Sequence, residues 1–510
     1  MGQVTLINPP LVAMRNDLFT TGIVYMPIGL AYFAGMLQQN AIDLTVIDAF
    51  GLQPNNCTTC GNYVIRGISV STVVEKIPHD TQANIIYANH VCNHVAIMAL
   101  IESIKANYPK VPIIIIENTQ SVTAYSLRNI LTELFDNGVD YVVTGEPESR
   151  GLSLLQGLLS DQEISSIEGI AYRSADKFVY VPLGKAKNNL DELPFPAWQL
   201  FPLEQYWSLH YAHGPLSSPK YLPLQTSRGC PYQCRFCIIP ELNNVKWRAR
   251  SAKNVVDEIE HWVNRLGVRE FHLEDVDPTV SDQRVQEICR DIIARKLNIV
   301  WKICAGTKVE TIKSEQTIEL MAAAGCRYIS ISPESGSEAV MKKINKPFDK
   351  ELAIRWIKKF NEVGIYTQAC FVLGFPEESD LDRELTLAMI KRLVQVGIDE
   401  VALFVITPIP GSAIASTFKK TYSSLSDLNF SPQWRDDYQK LNQFRIRCYR
   451  LFLFWKLRYQ TKKILLQPLR FLSRKFQTKM EMTPYRALHS YLLLIKAHCF
   501  GRQKRLSNHE

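Results

Sequence analysis

Short apolar runs alternate with helical patterns along most of this sequence, and the alternation starts twice. Residues 3–8 (QVTLIN), 43–48 (DLTVID), 85–89 (IIYAN), 112–118 (PIIIIEN) and 140–146 (DYVVTGE) each have the length and composition of a buried strand. Between them, GLAYFAGMLQQN (29–40), 94–107 and 124–137 carry the apolar spacing of helices. Strands that are apolar on both faces need helices on both faces, which is the arrangement of a parallel sheet. Residues 1–150 therefore read as a doubly wound domain, with ligands expected at the carboxyl ends of its strands.

The pattern restarts at 221. YLPLQTS (221–227), EFHLED (270–275), IVWKICA (299–305), YISIS (328–332), TQACFVLG (367–374) and VALFVI (401–406) read as strands. Helical segments such as AKNVVDEIEHWVNRLG (252–267) and ELAIRWIKKFNEVG (351–364) separate them. Six strand–helix units in a row imply an open, partial (β/α)6 TIM-type barrel over 221–420, whose chemistry collects in the loops after the strands. Residues 151–220, with the proline-bearing, acidic NNLDELPFPAW (188–198), read as a linker draped between the two. The fold class is thus α/β: a doubly wound domain, a partial barrel and a helical basic region at 421–510.

Charge singles out that last region. The formal net charge is +8, yet residues 438–480 hold twelve Lys/Arg and no Asp or Glu, so the rest of the chain is mildly acidic. RIRCYRLFLFWKLRYQTKKILLQPLRFLSRKF (445–476) interleaves those cations with Phe, Trp, Leu and Tyr, and Pro468 should divide it into two helices. Three readings fit: helices packed on the barrel with a solvated basic face, contact with an anionic membrane surface, or, less expected, contact with a nucleic-acid backbone. The start, MGQVTLINPP, lacks the basic and apolar segments of a signal peptide and the spacing of a myristoylation motif. No apolar run reaches the roughly 18 residues of a spanning helix. The expected location is cytoplasmic, with the basic segment able to hold the chain at the inner face of a membrane.

In a reducing compartment, clustered cysteines read as metal ligands before disulfides. Directly after the first barrel strand, TSRGCPYQCRFC places Cys230, Cys234 and Cys237 in a C-x3-C-x2-C pattern. One loop can wrap three corners of an iron–sulfur cube with this spacing, leaving one iron open. A closed zinc site would need a fourth ligand, and the nearest histidines, His210 and His213, precede the strand. Cys57 and Cys60 form a lone C-x2-C. His90 and His94 read as surface histidines at the sheet edge, and Cys289, Cys304, Cys326 and Cys370 as core.

The cysteine loop, with the aromatic Phe236 before its last cysteine, resembles the cluster loop of radical S-adenosylmethionine (SAM) enzymes. The resemblance implies a [4Fe–4S] cluster on Cys230, Cys234 and Cys237, SAM chelated at the open iron, Phe236 against adenine, and a 5′-deoxyadenosyl radical. It also implies an external electron donor such as flavodoxin or ferredoxin. Other strand ends are similar to the family's motifs. LEDVDPT puts Glu274 and Asp275 near the SAM amino group, SPESGSE puts Glu334 and Ser335 near its ribose or methionyl part, and VLGFPEES puts Gly374 beside adenine. FVITPIPGS resembles a recurring proline–glycine element.

INPP (7–10), MPIGLAYFAGML (26–37), VIDAF (46–50), DYVVTGEPE (140–148) and the linker ELPFPAW make residues 1–420 resemble the cobalamin-binding radical SAM proteins. The family's cobalt-ligating D-x-H-x-x-G is absent, since Asp48-Ala49-Phe50-Gly51 has no histidine. Its glycine-rich turn after the strand at 113–117 is replaced by Glu117 and Asn118. The resemblance implies methylation of an unactivated carbon of a small or lipid-like substrate, with bound cobalamin or a first domain that only scaffolds. The same architecture also hosts oxidative cyclisation, and a non-catalytic cofactor-binding sensor is the reading from another class. No second cysteine triad supports methylthiolation.

Overall fold

The computed structural model describes residues 3–174, 177–184 and 189–507. The linker motif expected from Asn188 begins just outside them.

The first sheet runs, edge to edge, Lys177–Tyr180, Ile170–Ser174, Tyr141–Val143, Ile113–Glu117, Ala83–Ala88, Val4–Asn8, Leu44–Asp48. Its last five strands are parallel. The winding reverses between Val4–Asn8 and Ala83–Ala88, where such sheets open a crevice at their carboxyl ends. Alternate residues serve opposite helical layers. Leu6, Ile114 and Ile116 pack with Phe33 on one face, while Ile7, Ile113 and Ile115 pack with Ile97 on the other. That two-sided burial is why these strands read as continuous apolar runs rather than alternating ones.

The expected boundary at residue 150 needs correction. Helix Pro147–Leu159 lies against helix Ile28–Gln39, and strands Ile170–Ser174 and Lys177–Tyr180 join the sheet antiparallel beyond Tyr141–Val143. They cover an edge that would otherwise expose unpaired backbone. The linker is not draped loosely. Ala197 N donates to Ala31 O, Trp198 is fully buried, and a Cβ on Gly35 would stand 2.7 Å from Phe195 O. Only glycine lets the linker lie this close to the helix.

The second sheet holds Tyr221–Leu224, Glu270–Leu273, Val300–Thr307, Cys326–Glu334, Tyr366–Leu373 and Glu400–Val405 in that order, all parallel. The barrel helices start where the sequence supplies caps. Ser251, Ser281, Ser314, Ser337, Asp349 and Ser379 each accept a first-turn backbone N–H. The first barrel strand ends at Leu224, earlier than its apolar run suggests. Ser227–Gly229 leaves the sheet to pair antiparallel with Trp247–Ala249.

The basic region forms helices Tyr438–Tyr459, Thr461–Leu465, Gln467–Ser473 and Lys479–Ser507. Pro468 sits in the first turn of the third, where its missing N–H costs no hydrogen bond. Among the described residues no helix is long and apolar enough to cross a membrane.

Candidate active site

The carboxyl ends of both sheets face one cavity of about 740 Å³, closed on a third side by the C-terminal helices. The first sheet contributes residues such as Asn89, His90, Cys92 and Gln120, the barrel contributes Phe236, Cys237, Glu274 and Glu334, and the helices contribute Leu453, Gln467 and Lys479.

The cysteine loop is fixed from several directions. Gly229 adopts φ +79°, and a Cβ there would stand 1.9 Å from Lys246 O, so the turn into Cys230 demands glycine. Its N–H donates to Gln120 Oε1, and Asn243 Nδ2 donates to Thr119 O, both across the domain seam. Beside them, Arg228 pairs with Glu148 at 2.5 Å and with Glu146 at 3.6 Å, while Arg248 also pairs with Glu146. Burial opposes ionisation of Glu146, but the two guanidinium groups hold its carboxyl below the usual range. The GEPE segment at 145–148 is therefore the clasp for the loop. Further along, Arg235 N donates to Ile344 O, Asn345 Nδ2 to Gln233 O, and Ile414 N to Arg235 O.

The three thiols lie close enough to act on one another, and Cys237 lines the cavity. Burial pushes Cys230 and Cys237 up to about 12 and raises Cys234, and each of the outer two feels Cys234 as a neighbouring charge. Lys346 is the cation that opposes this at all three. Lys346, joined at Cys234 by Lys308, compensates the three half-buried sulfurs too weakly to ionise them, and iron bound to the sulfurs would supply the missing positive charge. The donor set thus fits a cluster. Lys346 also pairs with Glu334 and lies 5.9 Å above the Phe236 ring. Glu334 holds φ +56° at the end of the fourth barrel strand, a left-handed conformation rare outside glycine.

Phe236 meets Phe375 edge-on at 5.5 Å, and Phe375 follows Gly374, whose φ is +80°. The expected adenine-side residues are thus brought together. Two other expected residues are committed elsewhere. Asp275 accepts from Thr226 N, Thr226 Oγ1 and Ser227 Oγ and knots the strand to the loop. Ser335 is fully buried, bonding Thr386 Oγ1 and accepting from Ser337 N, so it shapes its turn. Glu274 does face the cavity. Burial raises it to about 7, and its Oε2 lies 2.7 Å from His213 Nδ1. Lys479 donates to His213 Nε2 and to Cys304 O, so the imidazole is held neutral with its proton toward Glu274.

Sequence reasoning missed Gln120, Lys346 and Lys479 and weighed His213 only as a zinc ligand, since each gains meaning only from a partner distant in the chain. Four cysteine and histidine readings also need correction. Cys289 and Cys326 are core, but Cys304 and Cys370 line the cavity. His90 and His94 are buried, not at a surface. His94 lies between Tyr125 and Glu133, whereas His90 bonds Thr123 Oγ1, lines the cavity and is lowered by burial to about 3. Cys57 and Cys60 end one edge strand, the first buried and the second exposed, so they share no site.

At the first sheet, Glu117 accepts from Leu127 N and Gly145 N, and Asp48 accepts from Asn8, Gly51 N and Tyr206. Glu117, Asn118, Thr119 and Gln120 are all buried. A corrin ring could lie in the cavity against His90. The turn after Ile113–Glu117 carries these buried side chains where the resembled proteins have glycines, and Asn118 and Gln120 also line the cavity.

Residues 224–390 match the radical SAM superfamily. The chain carries a radical SAM domain. Cytidylyl-2-hydroxyethylphosphonate methyltransferase of Streptomyces wedmorensis is 25% identical over 405 residues, spanning 73% of each chain. The anaerobic magnesium-protoporphyrin IX monomethyl ester cyclase of Synechocystis is 27% identical over 391 residues, spanning 74% of this chain and 70% of the cyclase. The structure of the radical SAM methyltransferase TsrM from Kitasatospora setae, with tryptophan and a SAM analogue bound, superposes with TM-score 0.60 at 16% identity. It covers 81% of this chain and 75% of TsrM. The cobalamin-dependent radical SAM enzyme OxsB, with aqua-cobalamin bound, superposes with TM-score 0.61 at 16% identity, over 87% of this chain and 56% of OxsB. These two share the fold. The chain thus carries a radical SAM domain and is similar to methyltransferases and oxidative cyclases.

Proposed function

We propose that this enzyme methylates an unactivated carbon of a substrate held in the shared cavity, using a [4Fe–4S] cluster, SAM and cobalamin. The observation that carries the reading is one cavity bounded by the cysteine loop on one side and the first sheet's strand ends on the other. When bound, the cluster and SAM supply a carbon radical that abstracts hydrogen, and the corrin supplies a methyl carrier.

Cys230, Cys234 and Cys237 hold the cluster. Phe236, Phe375 and Gly374 form the edge suited to adenine, and the Glu334–Lys346 pair offers both an acceptor and a cation to SAM's polar end. Glu274, with the neutral His213 beside it, can keep or release a proton near neutral pH at the cavity wall. His90 is a neutral imidazole on the cavity wall and would be among the residues that hold a corrin there. The C-terminal helices close the third side and limit water. An external low-potential donor is required for each electron. Kinship with the Synechocystis cyclase supports a second reading, radical cyclisation in the same cavity.

Anaerobic reconstitution with iron and sulfide, followed by dithionite and SAM, should yield 5′-deoxyadenosine. A cluster-loaded sample that yields none defeats the reading. Incubation with hydroxocobalamin and gel filtration should leave corrin absorbance on the protein. With substrate present, methylation releases S-adenosylhomocysteine beside deoxyadenosine, while cyclisation releases deoxyadenosine alone.

A further inference from the structure

The C-terminal helices carry three apolar stripes that nothing among the described residues covers. Leu453, Phe454 and Leu457 are 47–60% exposed on the first helix. Leu465, Leu469 and Leu472 are 64–77% exposed across the two short helices, and Leu488, Leu492 and Ile495 are 50–60% exposed on the last. Spacings of three and four residues put each stripe on one side of its helix. The opposite sides are committed to the protein: Leu441, Cys448 and Phe452 pack on the barrel core, and Leu493 and Leu494 pack on the small sheet of strands Leu11–Met14, Tyr63–Arg66 and Cys57–Cys60. The helices are thus anchored, and the stripes are their free faces. Single exposed leucines are ordinary, whereas grouped ones mark a contact surface.

Charge identifies the occupant. Lys440, Arg445, Arg447, Lys463 and Arg470 pair with Asp380, Asp17, Glu384, Asp399 and Glu481. Lys456 donates to Asp399 O. Arg450, Arg458, Lys462, Arg474 and Lys475 have no carboxylate partner among the described residues, and no acidic residue lies within 438–480. Aliphatic side chains flanked by free cations match the interface of an anionic bilayer. A single-stranded nucleic acid would call for stacked aromatics, and these stripes are mostly leucine. The same helices rim the cavity, because Leu453 belongs both to an exposed stripe and to the cavity wall, with Gln467 and Met480 beside it.

We propose that the free faces of the C-terminal helices dock on an anionic lipid bilayer and set the cavity mouth at its surface, so that the substrate is a membrane-borne amphiphile. The docking stands on the helices alone, and the substrate class rests on the radical SAM reading of the cavity.

The test floats the full chain with phosphatidylcholine vesicles, with and without phosphatidylglycerol, at low salt. The full chain should float with the anionic vesicles and be released by high salt. The double variant Leu469→Asp/Leu472→Asp should lose about tenfold in partitioning, and Lys462→Glu/Lys475→Glu should lose less. Both variants should keep the parent melting curve, since all four side chains point outward. No flotation, or equal flotation of parent and leucine variant, overturns the docking; so does binding to single-stranded DNA that displaces the vesicles and ignores the leucine change. Flotation by a Cys230→Ser chain should equal that of the parent, which separates this result from failure of the cluster. For the substrate, deoxyadenosine formation by cluster-loaded enzyme should rise with a chloroform extract of the producing cells. A rise with the aqueous extract alone, or with neither, overturns the substrate class.

Discussion

The carboxyl ends of two parallel sheets look into the same cavity, and they treat their polar groups differently. At the barrel end, chemically able groups face the space: Cys237, Phe236, Glu334 and Glu274 line it, and burial displaces the protonation of the thiols and carboxyls. At the first sheet's end, polar groups mostly satisfy one another. Asn89 bonds Asn8, Asn93 bonds Asn89, Asn8 bonds Asp48, and Glu117 bridges two backbone amides. One rim turns its shifted groups toward the cavity, and the other, His90 apart, is a finished wall. Strained or shifted groups gather where chemistry occurs, while a satisfied network gives rigidity.

The sharpest way to break this contrast is at the sulfurs. Cys234→Ser should abolish cluster absorbance and deoxyadenosine formation, with iron content read by chelation. A serine variant that retains both would mean the barrel rim is no more reactive than the other. The next effect falls on the seam. Arg228→Met leaves Glu148 buried beside Glu146 without its cation, which costs about 3–5 kcal/mol. The first melting transition should fall by roughly 10 °C, and double-mutant cycles with Glu148→Gln should recover part of that loss. An unchanged melting curve would show that the two domains do not depend on this clasp.

The smallest effect concerns Glu274. Its carboxyl, raised by burial to about 7, is protonated more readily folded than unfolded. The folded chain therefore benefits from the bound proton most fully below about pH 4.5, the ordinary range of a glutamate. That benefit is lost as pH rises through 7. Glu274→Gln keeps a neutral side chain, so its melting temperature relative to the parent should climb between pH 5 and pH 8. A difference that stays flat across that range would place Glu274 among the satisfied groups of the opposite rim.

The architecture was largely readable because both sheets are buried on both faces, which forces apolar runs such as IIIIE and VALFVI into the sequence. The cysteine triad was readable because its ligands come from one loop. Asp275 and Ser335 were not, because which side of a turn a polar group faces is decided by Thr226 and Thr386, hydrogen-bond partners distant in the chain. Arg228 and Glu148, 80 residues apart, carry no local signal of their pairing, which exists only where the seam brings them together. His90 and His94 were misplaced for the same reason: the loop at 121–125 folds back and buries both.

The bond from Gly229 to Gln120 carries a consequence for maturation. The turn that presents Cys230 rests on a residue synthesised more than a hundred positions earlier. On a ribosome, that support leaves the exit tunnel before the cysteines do, so iron delivered during or after synthesis meets a loop with its anchor already made. A barrel expressed without the first domain would offer the same three sulfurs to iron, but on a tether that nothing holds in shape.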